Sequence, residues 1–243
     1  FTPRSPEDFS IPRADVEIDF DMESINKSEA NGRPDSVYLW GTLTSIRSEQ
    51  VRELLGNPSE GFYGFSIFEK NKSESEALVS FWLWAQDWIT KSKQHNFSLS
   101  FYCYHGDAEN TAMKNVSRRS NGQPSVPTLE QIDDFKTSDY WIDIEKYVKR
   151  LIWPTENQGL KTIGKIAGAH WAEGANGALS TVWFDTWTRT TDAVERETLK
   201  NQLLDYNRND VEATLIIRDW INDGLTSDAP RITSITTLDG KTF

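Results

Sequence analysis

Val16-Glu17-Ile18-Asp19-Phe20-Asp21-Met22-Glu23 alternates apolar and acidic residues along its whole length. Alternation with period two is the pattern of a β-strand, whose successive side chains project to opposite faces. Val16, Ile18, Phe20 and Met22 then share one face, and Glu17, Asp19, Asp21 and Glu23 share the other. Carboxylates in a row repel one another, and strands ordinarily disfavour Asp. A solvated face accounts for a single Asp-x-Glu. Here the strand leads into an aromatic-rich chain, so a central place in a sheet is expected. Carboxylates gathered near a core call for cations, and hard divalent ions such as Mg²⁺ or Mn²⁺ suit oxygen ligands.

Outward from this strand, Ser36–Thr44 (SVYLWGTLT) and Phe62–Phe68 (FYGFSIF) read as two more strands. Asn31-Gly32-Arg33-Pro34-Asp35 supplies turn residues between the first two, and the short links predict an antiparallel meander. Ser73–Lys91 carries apolar residues at three-to-four spacing, with Ser73 and Glu76 placed as a capping box. A fourth strand, Phe97–Tyr104, leads to a helix at Ala108–Arg119 and a loop at Ser120–Pro127. Tyr140–Ile144 reads as a short strand running into the helix Glu145–Leu151. Beyond it come a helix at Leu160–Ala167, an aromatic segment around Trp183 and Trp187, and a helical stretch from Asp192 to Asp223. The order is mixed α/β, without internal repeats. A polar linker is expected over residues 1–15, one domain over 16–225 and a tail over 226–243, in a chain cut from a longer polypeptide.

Composition narrows the classes. The 243 residues include 10 Trp, 12 Phe and 7 Tyr, too many aromatics for a disordered chain. No apolar run reaches the roughly 20 residues of a bilayer-spanning helix, so no membrane partner is expected. The single Cys103 cannot form an internal disulfide, which favours a reducing, cytoplasmic compartment. Lys and Arg number 26 against 37 Asp and Glu, a net charge of −11. That opposes a broadly basic nucleic-acid coat but not an enzyme that reaches nucleic acid through metal ions.

Two further segments carry chemistry. Tyr102-Cys103-Tyr104-His105-Gly106-Asp107-Ala108-Glu109 is a polar cluster at a strand-to-helix switch, where α/β sheets place their sites. Glu109 lies in the first helical turn, a position that helix dipoles also favour for acids. In Tyr206-Asn207-Arg208-Asn209-Asp210-Val211-Glu212-Ala213-Thr214, Tyr206 and Asp210 share a helix face. An ordinary amphipathic helix with Leu203 and Val211 in the core accounts for that spacing as well.

Taken together, Asp21-x-Glu23 on the first strand, an acid after the fourth, and Tyr-x-x-x-Asp on a late helix resemble the three motifs of DEDD 3′→5′ exonucleases in their Tyr-bearing branch. The chain is more similar still to the RNase H-like C-terminal domain of RecB-like nucleases. Tyr206-Asn207-x-x-Asp210-Val211-x-Ala213-Thr214, the helix start Gly159-Leu160-Lys161 and Trp141-Ile142-Asp143 carry that likeness. The resemblance implies an α/β RNase H-like fold, with a mixed sheet of three antiparallel strands followed by parallel strands, flanked by helices. It implies two Mg²⁺ or Mn²⁺ ions on Asp21, Glu23, Glu109 and Asp210, and Tyr206 orienting the attacking water. Glu109 stands where most relatives have Asp, and His105 where they often have Asn. Asp19 has no counterpart in the family, yet is expected in the same cleft. Implied partners are DNA or RNA, as a single-stranded 3′ end, and an upstream RecB-like nuclease domain in the same polypeptide.

Substrate contacts are expected from His105, Lys161, Arg118 and Arg119. Residues 110–127 hold Lys114, Arg118 and Arg119 with no acid, and residues 146–170 hold Lys146, Lys149, Arg150, Lys161 and Lys165 against Glu156. Such stretches suit a phosphate-tracking groove, and solvated helix faces explain each cation singly. Trp171, Trp183 and Trp187 are expected mainly in the core. Two other functions fit the same fold: a catalytically weak binding module serving the upstream domain, and a structure-selective endonuclease.

Overall fold

The computed structural model describes residues 2–3, 10–25, 36–69, 72–120, 122–152, 157–172 and 177–224. The turn expected at 31–35, residues 1 and 4–9 of the linker, and the tail lie outside these residues. The elements run β1 (Thr2–Pro3), β2 (Val16–Ile25), β3 (Ser36–Ile46), α1 (Glu49–Leu54), β4 (Gly61–Ser66), α2 (Glu74–His95), β5 (Leu99–Cys103) and α3 (Gly106–Arg119). They continue with α4 (Leu129–Thr137), β6 (Trp141–Asp143), α5 (Ile144–Val148), β7 (Leu151–Ile152), α6 (Leu160–Ala167), α7 (Gly177–Arg189) and α8 (Ala193–Asp219).

Five strands form one sheet in the order β4-β3-β2-β5-β6. β2 is central, antiparallel to β3 and parallel to β5. β3 and β4 are antiparallel, and β5 and β6 parallel. The alternation in β2 sorts its side chains as expected. Val16, Ile18 and Phe20 enter the main core with Phe81 and Ala85 of α2 and Met113 of α3. The opposite, acidic face lies under α8, whose buried polar residues Asn207, Asp210, Thr214 and Arg218 recur at helical spacing. Inside the core, Phe20 meets Trp141 edge to face with ring centroids 5.0 Å apart.

Local signals explain most boundaries. The Ser73–Glu76 capping box is formed, and Asn96 in the left-handed region ends α2. Asp192 caps α8 by accepting from the backbone N–H groups of Val194 and Glu195. Three helices differ from the sequence expectation. α1 has only six residues behind the Ser48 cap. α4 follows a Thr128–Gln131 capping box inside an otherwise polar stretch. The aromatic segment around Trp183 is the helix α7: Ser180, Phe184 and Trp187 are its buried face, while Thr181, Val182 and Trp183 have strand-like propensity.

Buried charge holds α8 to β2. Arg218 is fully enclosed, and its guanidinium donates to Glu17 Oε2 at 2.9 Å and Asp19 Oδ1 at 2.7 Å. It also stacks over Tyr102, 3.8 Å from the ring centroid. Among the described residues, no helix is long and apolar enough to cross a membrane.

Candidate metal centre

At the C-terminal part of β2, Asp21 and Glu23 project from the acidic face toward α8. Together with Asp210 of α8 they bring one carboxylate oxygen each within 4.8 Å of one another. Glu23 and Asp210 are buried and Asp21 half-buried. One central strand and one crossing helix thus unite carboxylates almost 190 residues apart.

Each carboxylate is held by a neighbour. Asn207 Nδ2 donates to Asp21 Oδ2 at 2.9 Å. Gly41 lies opposite Asp21 on β3, where a Cβ would sit 1.6 Å from Asn207 Oδ1. The missing side chain is what lets Asn207 reach the site. The Tyr38 hydroxyl donates to Glu23 Oε2 at 3.3 Å. Trp171 Nε1 donates to Asp210 Oδ1 at 2.6 Å. The Trp171 ring lies against Gly164 of α6, where a Cβ would come within 2.6 Å of a ring carbon. Trp171 is therefore a polar anchor of the site rather than a core residue; Trp187 is buried as expected.

Glu109, in the first turn of α3, is buried, and its Oε2 has no hydrogen-bond partner among the described residues. It stands outside the three-carboxylate group but within the field of Asp21. Asp143, at the end of β6 and paired in register with Cys103, accepts from the Glu145 N–H at 3.1 Å and adds to the negative field on Glu109.

The clustered carboxylates raise one another, and Lys161 opposes the rise. Burial, then the charge of Asp210, pushes the Asp21 carboxyl well above its ordinary range. Burial, then Asp21, does the same to Glu23 and to Glu109. Asp210 is also raised by burial, with Lys161, Trp171 and Tyr206 pulling the other way. The Tyr206 hydroxyl accepts from Lys161 Nζ. The ammonium lies 4.1 Å from the Tyr206 ring centroid. Burial, then the charge of Asp210, raises the phenol further above its ordinary value.

The remaining predicted residues fall in different places. Asp19 does not join the cluster, because Arg218 engages it lower on the strand. A cavity of about 410 Å³ opens between the end of β2 and α3, lined among others by Ser24, His105, Asp107, Thr111 and Arg119. His105 Nδ1 meets Glu145 at 2.9 Å, and Arg119 forms two hydrogen bonds to Glu74 at 2.7 and 2.9 Å. Arg118 lines another cavity, at the C-terminal end of α3. Lys114 pairs with Asp133, so the basic stretch after residue 110 is partly neutralised by acids distant in sequence.

Asn207, Trp171, Tyr38 and Gly41 are site residues that motif spacing missed. Only Asn207 carried a signal, as the residue beside Tyr206.

A family model described as RNase_H superfamily matches residues 20–222. No curated protein and no solved structure matches the chain. Members of that superfamily are generally nucleases, and such domains usually use divalent metals. The match takes in β2 from Phe20 onward, the other four strands of the sheet and both halves of the carboxylate cluster, and the chain belongs to the RNase H superfamily.

Proposed function

We propose that this chain is a metal-dependent 3′→5′ exonuclease acting on DNA or RNA, with its catalytic domain over residues 16–225. The observation that carries the proposal is the convergence of Asp21, Glu23 and Asp210 within 4.8 Å. The donor set fits hard divalent ions: all are carboxylate oxygens, and Glu109 offers a buried oxygen without a partner among the described residues. Asp21, Glu23, Glu109 and Asp210 would hold two Mg²⁺ or Mn²⁺ ions. Bound there, such ions supply positive charge for both the attacking and the leaving oxygen of an in-line phosphodiester displacement.

The chain's own residues set up the rest. Asn207 and Trp171 fix the Asp21 and Asp210 carboxylates by donating to one oxygen of each, leaving the others for ligation. Tyr206 orients the attacking water. Burial and the charge of Asp210 raise its phenol above its ordinary value, which suits a hydrogen-bonding role. The cavity beside Ser24, His105 and Thr111 is large enough for one nucleotide, and placing the terminal residue there would limit each cut to a strand end. Lys161 and Arg119 would meet phosphates. An upstream RecB-like nuclease domain in the same polypeptide would deliver the strand.

Incubation of the protein with Mn²⁺ and a 5′-labelled single strand tests the proposal. A ladder of shortening products is expected. One internal cut would instead indicate an endonuclease, and binding without cleavage a non-catalytic module.

A further inference from the structure

Lys161 occupies an unusual place for a lysine. It sits in the first turn of α6, yet its ammonium reaches the Tyr206 hydroxyl and lies over the Tyr206 ring. Asp210 lies one helical turn from Tyr206 on α8, and its charge acts on the phenol. The positive charge of Lys161 acts on all three clustered carboxylates, Asp21, Glu23 and Asp210. Arg218, the fully enclosed cation on this face of β2, is committed to Glu17 and Asp19. Lys161 thus balances acids that would otherwise face one another across a few ångströms of protein.

A single ammonium is a poor permanent match for this site. Like charges close together in a partly buried site repel by several times RT, so a divalent ion entering the same carboxylates and the Lys161 ammonium oppose one another. Four carboxylates, counting Glu109, are neutralised by two divalent ions with no lysine needed. A lysine side chain is a flexible four-carbon stem carrying a point charge, able to leave such a position without moving the backbone.

We infer that Lys161 is the resident counter-ion of the carboxylate centre, holding Asp21, Glu23 and Asp210 together until a divalent ion displaces its ammonium toward the substrate phosphate. The inference rests on the metal-centre reading above and adds a competition that the reading alone does not contain. Lys161 is then more than a phosphate contact: it sets how tightly the first ion binds and how stable the protein is before that ion arrives.

Calorimetric titration of Mn²⁺ into the metal-free protein at pH 8, with a thermal melt of each sample, tests it. Lys161→Met is expected to tighten binding of the first Mn²⁺ by about fivefold or more, because the competing charge is gone. The same variant is expected to melt below wild type without metal and level with it at saturating Mn²⁺. Lys161→Arg, which keeps the charge, should bind Mn²⁺ within about twofold of wild type. Lys161→Gln provides the neutral side chain if the Met variant does not fold. Unchanged or weaker Mn²⁺ binding in the neutral variant, with wild type binding normally, overturns the counter-ion role and leaves the metal centre intact. A wild-type protein that binds no Mn²⁺ overturns both.

Discussion

Replacing Arg218 with Met should destabilise the protein by about 3–5 kcal/mol, because it leaves buried carboxylates without their cation. Arg218 and Asp19 are 0% exposed and Glu17 1%, with nitrogen–oxygen distances of 2.7 and 2.9 Å. Glu17 keeps Arg13 at 3.2 Å and Arg47 at 3.8 Å, so most of the loss falls on Asp19. The direction with pH follows from the proton balance. Burial pushes Asp19 from 3.8 up to about 7, outweighing the attraction of Arg218, and the charges of Glu17 and Asp219 add to the rise. A carboxyl raised in the folded state binds its proton more tightly there than in the unfolded chain. Its contribution to stability therefore falls as pH rises from about 4 to about 7. At pH 5 Asp19 is protonated and needs no guanidinium, so the variant should lose less there than at pH 8. Urea unfolding followed by tryptophan fluorescence at both pH values, with EDTA present, measures the loss. A loss below about 1 kcal/mol at pH 8, or an equal loss at pH 5, would refute this account of the α8–β2 contact. Combining Glu17→Gln and Asp19→Asn with Arg218→Met should recover much of the stability, since no charge is then stranded.

Three other outcomes follow from the site. Tyr206→Phe should slow cleavage while Mn²⁺ binding, followed by calorimetry, persists; an unchanged rate removes the hydroxyl from the chemistry. Gly41→Ala forces Asn207 away from Asp21 and should weaken Mn²⁺ binding about 10–100-fold with the circular-dichroism spectrum retained. Trp171→Phe removes the donor to Asp210 and should weaken Mn²⁺ binding to a similar degree. Wild-type affinity in both variants would show that these neighbours do not position the carboxylates.

Much of the fold was legible because its signals are local. β2 announced itself through strict alternation, α2 through the Ser73–Glu76 box, and α6 through Leu160–Ala167 at helical spacing. Short links predicted the antiparallel meander of β2, β3 and β4, while the parallel strands after it were implied only by the family resemblance. What stayed hidden depends on distant partners. Nothing near Asp19 signals Arg218, 199 residues away, so period two alone assigned Asp19 to the cleft. Trp171 has no local mark as the donor to Asp210, 39 residues on. Gly41 reads as a weak point in a strand until Asn207 is seen against it. α7 was missed because its aromatic and β-branched residues are equally at home in strands, and packing rather than propensity makes it a helix.

The most direct single measurement is the size of the first product released from a 3′-labelled strand in Mn²⁺, compared with EDTA and with Asp21→Asn. Label leaving as a mononucleotide, with Mn²⁺ present and Asp21 intact, is the predicted result. Asp21→Asn should fold normally and release none. Label leaving on an oligonucleotide, or equal release by Asp21→Asn, would contradict an exonuclease built on this carboxylate centre.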